Sequence, residues 1–300
     1  MLIESIPNVS EGRRRVVTYE LADVIRQTPG VCLLDRSSDR SHNRTVYTVV
    51  GDPPSLEAAS LALVESAVAR IDLRQHRGVH PRIGAVDVVP FVPLADATMS
   101  DCVQLARRLG EVVAARFGLP VFLYEEAALR PGRRRLEDIR RGEFEGLSAK
   151  MADPEWMPDY GPPAPHPTAG AVAIGARQVL IAFNVELATD RIEIARRVAS
   201  LVRERTGGLP AVKALGLPLV ERGTVQVSMN LTDYRVTPPL AAFAAVEREA
   251  ARLGVAVVRS ELVGLLPQAA LIGTSASALR LDGFRDDQIL EVRLARTSGA

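Results

Sequence analysis

The sequence predicts an α/β (α+β) protein made of two similar β-α-β-β-α-β (split βαβ) subdomains, residues 1–177 and 178–300. Two observations carry this reading. The apolar period alternates between two and 3.6 residues in the same order twice along the chain, and Gly/Pro punctuation separates the runs. The length of 300 residues also suits one large domain or two medium ones. Each subdomain is expected to form a sheet with helices outside, the two sheets facing a central groove, a common setting for a ligand.

The elements follow in order. Residues 2–7 read as a short strand. Residues 13–27 carry Val16, Val17, Leu21, Val24 and Ile25 at helical spacing, and Pro29-Gly30 ends the helix. Residues 31–35 and 45–51 are strands on either side of a polar stretch, 36–44. Ser55 caps a helix running to about Ile71. A strand at 85–93, a helix at 100–117 and a strand at 120–124 complete the first set. Residues 130–167 are rich in Arg, Gly and Pro and weakly periodic, with six prolines in 153–167; this predicts an irregular segment joining two halves. The pattern then restarts: strand 178–184, helix 190–205 broken by Gly207-Gly208, strands 212–220 and 224–231 around an Arg222-Gly223 turn, helix 238–253 and strand 255–263.

Composition removes several classes. With 37 basic and 36 acidic residues the net charge is +1, which disfavours a dedicated nucleic-acid binder. No uninterrupted apolar run reaches the ~18 residues of a membrane span. The N-terminus lacks the basic and apolar regions of a signal peptide. Cys32 and Cys102 lie far apart in apolar patterns and suit neither a disulfide framework nor a CxxC site, so a reduced, cytoplasmic setting is expected. Two counts are unusual. Only Lys150 and Lys213 among the 37 basic residues are lysine, and the four histidines, His42, His76, His80 and His166, all precede residue 167. Proton chemistry by histidine, whose pKa lies nearest neutrality, therefore falls to the first half.

Three polar stretches exceed what a scaffold needs. The first is Ile6-Pro7-Asn8-Val9-Ser10-Glu11-Gly12, which follows a strand and opens a helix; Ser10 or Asn8 would serve as an N-cap, and the same backbone donors suit an anion. The second is Ser37-Ser38-Asp39-Arg40-Ser41-His42-Asn43-Arg44-Thr45, where a plain solvated connection explains the polarity but not the choice of His and Arg beside Asp and Asn. The third runs from His76-Arg77-Gly78-Val79-His80 through Pro81-Arg82-Ile83-Gly84 to Asp87. Gly78 and Pro81 oppose a helix here, so the two histidines are not paired ligands on one helical face. His42, His76, His80 and Asp39 are adequate metal ligands in kind, but their spacing matches no metal signature and the adjacent arginines repel a cation. Arg133-Arg134-Arg135 and Arg140-Arg141 are interleaved with Glu137, Asp138, Glu143 and Glu145, which predicts a self-paired charged face rather than a nucleic-acid patch.

These stretches resemble the glutamate formimidoyltransferase (formiminotransferase) family, in its stand-alone bacterial form without the cyclodeaminase domain of the animal enzymes. The matching segments are PNVSEG (7–12), HNRTVYTVVG (42–51), HRGVHPRIGAVDVVPFVP (76–93), PVFLYEEAA (120–128), IRRGEFEGL (139–147), DYGPPAPHPTAGAVAIGARQVLIAFNVEL (159–187), VQVSMNLTDY (225–234) and SELVGLLP (260–267). They are collinear and span nearly the whole chain. The resemblance implies a homodimer, tetrahydrofolate as co-substrate with no metal, and a folate site in the groove between the two subdomains. It implies transfer of the formimino group of N-formimino-L-glutamate to N5 of tetrahydrofolate, in histidine degradation. The same fold would also serve another formimino or formyl donor, such as formiminoglycine or 5-formyltetrahydrofolate, or a non-catalytic folate-binding protein. No nucleic-acid or membrane partner is implied.

By the same resemblance His80 is the catalytic histidine, and the folate segment is Gly161, Pro162, Pro163, Ala164, Pro165, His166, Pro167, Thr168, Ala169 and Gly170. The animal enzymes carry an acidic residue two positions beyond the Asp that ends the second strand. Here that Asp is Asp35 and the later position is Ser37, so Asp39 becomes the candidate carboxylate partner of His80. The chemistry asks for one group that takes a proton from N5 and gives one to the departing amine, which a histidine titrating near pH 7 does well. It also asks for donors to substrate carboxylates. Arg44, Arg77 and Arg82 are the candidates, since the planar guanidinium binds carboxylates bidentately. Asn8, His42 and Asn43 are expected beside them.

Overall fold

A computed structural model describes residues 1–298. Two compact units emerge, Met1–Arg177 and the remainder from Gln178. In the first, β1 (Ile3–Ser5) and β2 (Asn8–Val9) form one interrupted strand. Pro7, which has no N–H for the ladder, sits at the break, and its carbonyl accepts the Tyr47 N–H at 3.0 Å. Then come α1 (Arg15–Arg26), β3 (Val31–Asp39), β4 (Arg44–Gly51), α2 (Pro53–Arg70), β5 (Val86–Pro93), α3 (Met99–Phe117) and β6 (Val121–Glu125). The antiparallel part of the sheet runs β3-β4-β1/β2-β5. β7 (Val172–Ala176) extends it, lying parallel to both β5 and β6.

The helices pack Leu21, Ile25, Leu63, Val64, Leu105 and Leu109 against Val89, Phe91, Val121 and Ile174. α2 starts one turn earlier than expected: Asp52, not Ser55, is the cap, and its side chain accepts the Ser55 N–H at 2.8 Å. α3 has a full capping box, Thr98 with Asp101, and closes on Gly118 in the left-handed region at φ +63°.

The segment 130–167, expected to be irregular, is helical in part and packs within this unit. It contains α4 (Leu136–Arg140) and α5 (Glu143–Met151). Ile139, Leu147 and Met151 cover the opposite face of the β5-β7-β6 end, packing on Val88, Phe122, Tyr124 and Ala173. Here alternate side chains of β6 go to opposite cores: Val121 and Leu123 to one, Phe122 and Tyr124 to the other. A strand buried on both faces is apolar throughout, as parallel strands generally are. β7 itself had no expected counterpart, because its Ala173, Gly175 and Ala176 give a weak strand signal.

The second unit comprises β8 (Ile181–Leu187), α6 (Ile192–Val202), β9 (Val212–Leu219), β10 (Thr224–Leu231), α7 (Pro239–Arg252), β11 (Val257–Val263) and α8 (Leu290–Ser298). Its sheet order is β11-β8-β10-β9, with antiparallel neighbours throughout. Numbering the four strands of each repeat in chain order, both units share the arrangement four-one-three-two. The repeat expected from element order is therefore a repeat of topology. Among the described residues no helix is long and apolar enough to cross a membrane.

Candidate active site

The three polar stretches converge at one edge of the first unit. Asn43 joins them: its Oδ1 accepts the Gly12 N–H at 2.9 Å, and its Nδ2 donates to the Arg77 carbonyl at 3.1 Å. Asn43 adopts φ +51°, a conformation asparagine tolerates better than most residues. The approach is close enough that a Cβ on Gly78 would fall 2.3 Å from the His42 carbonyl oxygen. Ser10 Oγ adds a 2.7 Å bond to the Gly84 carbonyl.

Neither Ser10 nor Asn8 caps α1, whose N-cap Arg14 has no side-chain capping bond. Glu11 takes the donors just before the helix, its carboxylate accepting the N–H groups of Arg13 and Arg14 at 2.9 and 2.8 Å and pairing with the Arg14 side chain. Those donors are thus occupied by the protein's own anion. Burial opposes ionisation of Glu11, but these bonds outweigh it and hold its carboxyl below the ordinary value. Asn8 is buried in the sheet and spends its Nδ2 on the Ile6 carbonyl.

His80 lies at the centre. Arg44 Nη1 donates to its Nε2 at 2.6 Å. A guanidinium does not give up its proton, so Nε2 is the acceptor and the ring proton sits on Nδ1. The His42 ring meets His80 edge-on, with centroids 5.8 Å apart and planes at 83°. Burial, with the positive charges of Arg44 and Arg140, pushes the His80 pKa down to about 2. Burial and Arg140 also push Arg44 down to about 10. Among the described residues neither Arg44 nor the exposed Arg77 forms an ion pair with a carboxylate; Arg77 Nη1 rests on the Arg74 and His76 carbonyls.

Two placements differ from the sequence reading. Asp39 pairs with His42 rather than His80: Oδ2 lies 2.7 Å from His42 Nδ1, and Oδ1 accepts the His42 N–H at 2.7 Å. Burial favours the neutral carboxyl, yet the His42 bonds win and hold Asp39 below its ordinary value. The reason is local, since a three-residue turn brings residues 39 and 42 together and leaves Asp39 one ring removed from His80. Arg82 is not free for a substrate carboxylate. It is buried, with Nη1 on Glu143 and Glu145 at 2.7 and 2.8 Å, Nη2 on Glu145 at 2.6 Å, and Nε on His76 Nδ1 at 3.1 Å. His76 in turn donates from Nε2 to the Asn43 carbonyl at 2.9 Å. Burial lowers its pKa, and both ring nitrogens are occupied.

The segment 161–170, expected to hold folate, is anchored just beyond His80 in the chain. His166 and Gly170 exchange backbone bonds of 2.8 and 3.0 Å, Ala85 N–H donates to the Ala169 carbonyl at 2.9 Å, and His166 Nδ1 accepts the Ala169 N–H at 3.0 Å. Gly170, at φ +70°, lies where a Cβ would come 2.0 Å from the Ile83 carbonyl oxygen. Thr168 is half-buried, its carbonyl accepting the Leu73 N–H at 2.8 Å. Gly161, Pro162, Pro163, Ala164 and Pro167 are exposed, and Pro165 partly so.

The arginine run is paired, but only Arg135 with Glu137 and Arg141 with Asp138 use the interleaved acids as expected. Arg133, Arg134 and Arg140 reach Asp159, Glu126 and Asp87 outside the run, and not all of it is on the surface. Arg133 is 1% exposed and paired with Asp159 at 2.8 Å. Arg140 pairs with buried Asp87, whose other oxygen accepts the Ile83 N–H at 2.8 Å. Arg140, Glu143 and Glu145 therefore belong to the site's frame, a role the sequence reading did not give them, and Asp87, which it placed at the end of the third stretch, is held by Arg140. Cys32 and Cys102 are free, and burial pushes the Cys102 thiol up to about 12, where it is no nucleophile near neutrality. Among the described residues no group of three or more His, Cys, Asp or Glu is placed to hold a metal ion.

A half-buried histidine under a guanidinium that has no carboxylate partner among the described residues gives this edge the chemistry of a proton acceptor beside a cation. The family is settled by comparison: the description "Formiminotransferase domain, N-terminal subdomain" matches residues 2–177, "Formiminotransferase domain" matches residues 182–285, and the chain belongs to this family. It is 44% identical to a "Glutamate formimidoyltransferase" of Streptococcus pyogenes over 98% of both chains. It is 46% identical to one of Thermoplasma acidophilum, over 99% of this chain and 98% of the relative. The "Formimidoyltransferase-cyclodeaminase" of Sus scrofa is 43% identical over 92% of this chain, which spans 52% of that longer protein.

Proposed function

We propose that this protein transfers the formimino group of N-formimino-L-glutamate to N5 of tetrahydrofolate, yielding L-glutamate and 5-formimidoyltetrahydrofolate in histidine degradation. The observation that carries the reading is the Arg44–His80 pair, a base held neutral and covered by a cation that lacks an anion. It is supported by kinship with full-length relatives of that name. Tetrahydrofolate enters as a substrate whose N5 is the nucleophile, and the exposed start of the Gly/Pro segment, residues 161–164, offers backbone at close range for its ring. The protein is taken to act in the cytoplasm as a homodimer.

His80 and Arg44 act together. A donor carboxylate on Arg44 draws the guanidinium away from Nε2 and compensates its charge. Both effects raise the proton affinity of His80. Nε2 then takes the proton released by N5 and returns it to the departing glutamate nitrogen, so the proton count balances. Asp39 holds His42, and His42 braces the His80 ring. Arg77, exposed at the rim, is placed for a second carboxylate.

The assay follows 5-formimidoyltetrahydrofolate in mixtures of protein, tetrahydrofolate and donor. Turnover with formiminoglutamate is expected; turnover only with formiminoglycine or 5-formyltetrahydrofolate overturns the donor, and folate binding without any turnover overturns the enzyme. The pH profiles give a sharper test. The acid limb of kcat/KM reports the free enzyme and that of kcat the complex. Because the bound carboxylate raises the His80 pKa, the kcat limb is expected at higher pH than the kcat/KM limb. Coincident limbs would remove the coupling.

A further inference from the structure

Lys150 stands out first by composition. In a chain with 37 basic residues and only two lysines, an ammonium at this position calls for a reason that a guanidinium does not meet. The structure supplies one. Lys150 Nζ donates to three converging carbonyls, those of Asp138, Ile139 at 2.7 Å and Arg141 at 3.2 Å. Its fourth side lies 3.8 Å from the centroid of the Trp156 ring. These carbonyls belong to the C-terminal end of α4, which leaves acceptors unpaired as every helix end does. At five residues α4 is far too short to hold its shape alone. A compact ammonium directs three protons at three acceptors; a planar guanidinium cannot converge its donors in that way.

What α4 carries is Arg140. Its guanidinium holds Asp87, and Asp87 holds the Ile83 N–H at the entry to β5. The following turn is tied to the same loop, with Phe144 N–H donating to the Arg82 carbonyl at 2.9 Å. The charges facing His80 are Arg44 from β4, His42 from the loop before it, and Arg140 from α4. Asp39 is bonded to His42 and Asp87 to Arg140. The charged groups around Lys150 are Asp138 with its partner Arg141, and Arg133 across Trp156.

We propose that Lys150 is a positioning residue for the transfer: by clamping the end of α4 it fixes Arg140, whose bond to Asp87 holds the loop that carries His80. This rests on the reading of His80 as the base. Burial, with Arg141 beside it, also lowers Lys150 itself to about 8, so the clamp loosens as pH rises above that value.

The test uses the whole protein with Lys150→Met, which keeps the apolar stem over Trp156, and Lys150→Arg, which keeps the charge. Two readouts are taken. The first is an NMR titration of the His80 ring without substrate. In the wild type His80 is expected to stay neutral down to the acid limit of the folded protein, and in both variants to titrate at higher pH. The second is steady-state kinetics, where kcat is expected to fall about tenfold or more, as displaced catalytic geometry costs, with KM for tetrahydrofolate little changed. An unshifted His80 titration in a folded Lys150→Met protein overturns the proposal, even if melting temperature drops. Wild-type kcat and titration in Lys150→Arg overturn it as well, and that variant decides if the first fails to fold. If no donor turns over in the wild type, the transferase reading fails by itself while the titration still decides this one.

Discussion

Replacing His80 with alanine is expected to lower kcat by about 10²–10⁴-fold, the usual contribution of a positioned acid–base group. Binding of tetrahydrofolate should be nearly unchanged, because the segment 161–170 is anchored by backbone bonds to residues 73 and 85 that do not involve the His80 ring. A variant with wild-type kcat would remove His80 from its role. The same substitution has a second readout, in stability. Burial and the nearby Arg44 and Arg140 push the His80 pKa in the folded state down to about 2, whereas a histidine of the unfolded chain takes up a proton near its ordinary 6.5. Between those values the unfolded state binds more protons, so this group makes stability fall as pH drops below about 6.5. His80→Ala should flatten that acid-side loss in urea titrations at several pH values. Part of the slope remains, since His76 is shifted in the same direction. An unchanged slope would show that His80 is not held neutral by the fold.

Arg133→Met is expected to cost about 3–5 kcal/mol of unfolding free energy, the penalty for leaving one partner of a buried ion pair behind. Arg133 and Asp159 have side chains only 1% and 2% exposed. Arg133 also donates to the carbonyls of Glu155 and Met157, and Asp159 accepts the Leu123 N–H at 2.8 Å. The pair thus ties the 154–160 segment to β6. Arg133→Met with Asp159→Asn should recover part of the loss, because no charge is then stranded. Denaturant unfolding of both proteins checks this. A loss typical of an exposed pair, under about 1 kcal/mol, would show that the pair is solvated.

How much of this was legible before folding differs by element. In the second unit α6, β9, β10, α7 and β11 follow their periods, and the hairpin of β9 and β10 turns where Arg222-Gly223 marks it, but β8 lies three residues beyond the expected strand and α8 had no expected counterpart. α4 and α5 escaped because five and nine residues hold too few turns to show a period amid Arg and Glu. The three polar stretches were recognisable as a site from their residue types, and the fold brings them together through Asn43. Their internal pairing was not recognisable. Asp39 finds His42, three residues away, while Arg82 reaches Glu145 across 63 residues and Arg140 reaches Asp87 across 53.

The sequence by itself determined the repeated order of elements, the family, and the residue types gathered around His80. Only the tertiary structure decided which carboxylate serves which arginine, and that His80 rests neutral beneath Arg44 instead of charged beside Asp39. The physical reason is that element order is written in local periodicity, whereas charge state depends on burial and on distances between segments far apart in the chain.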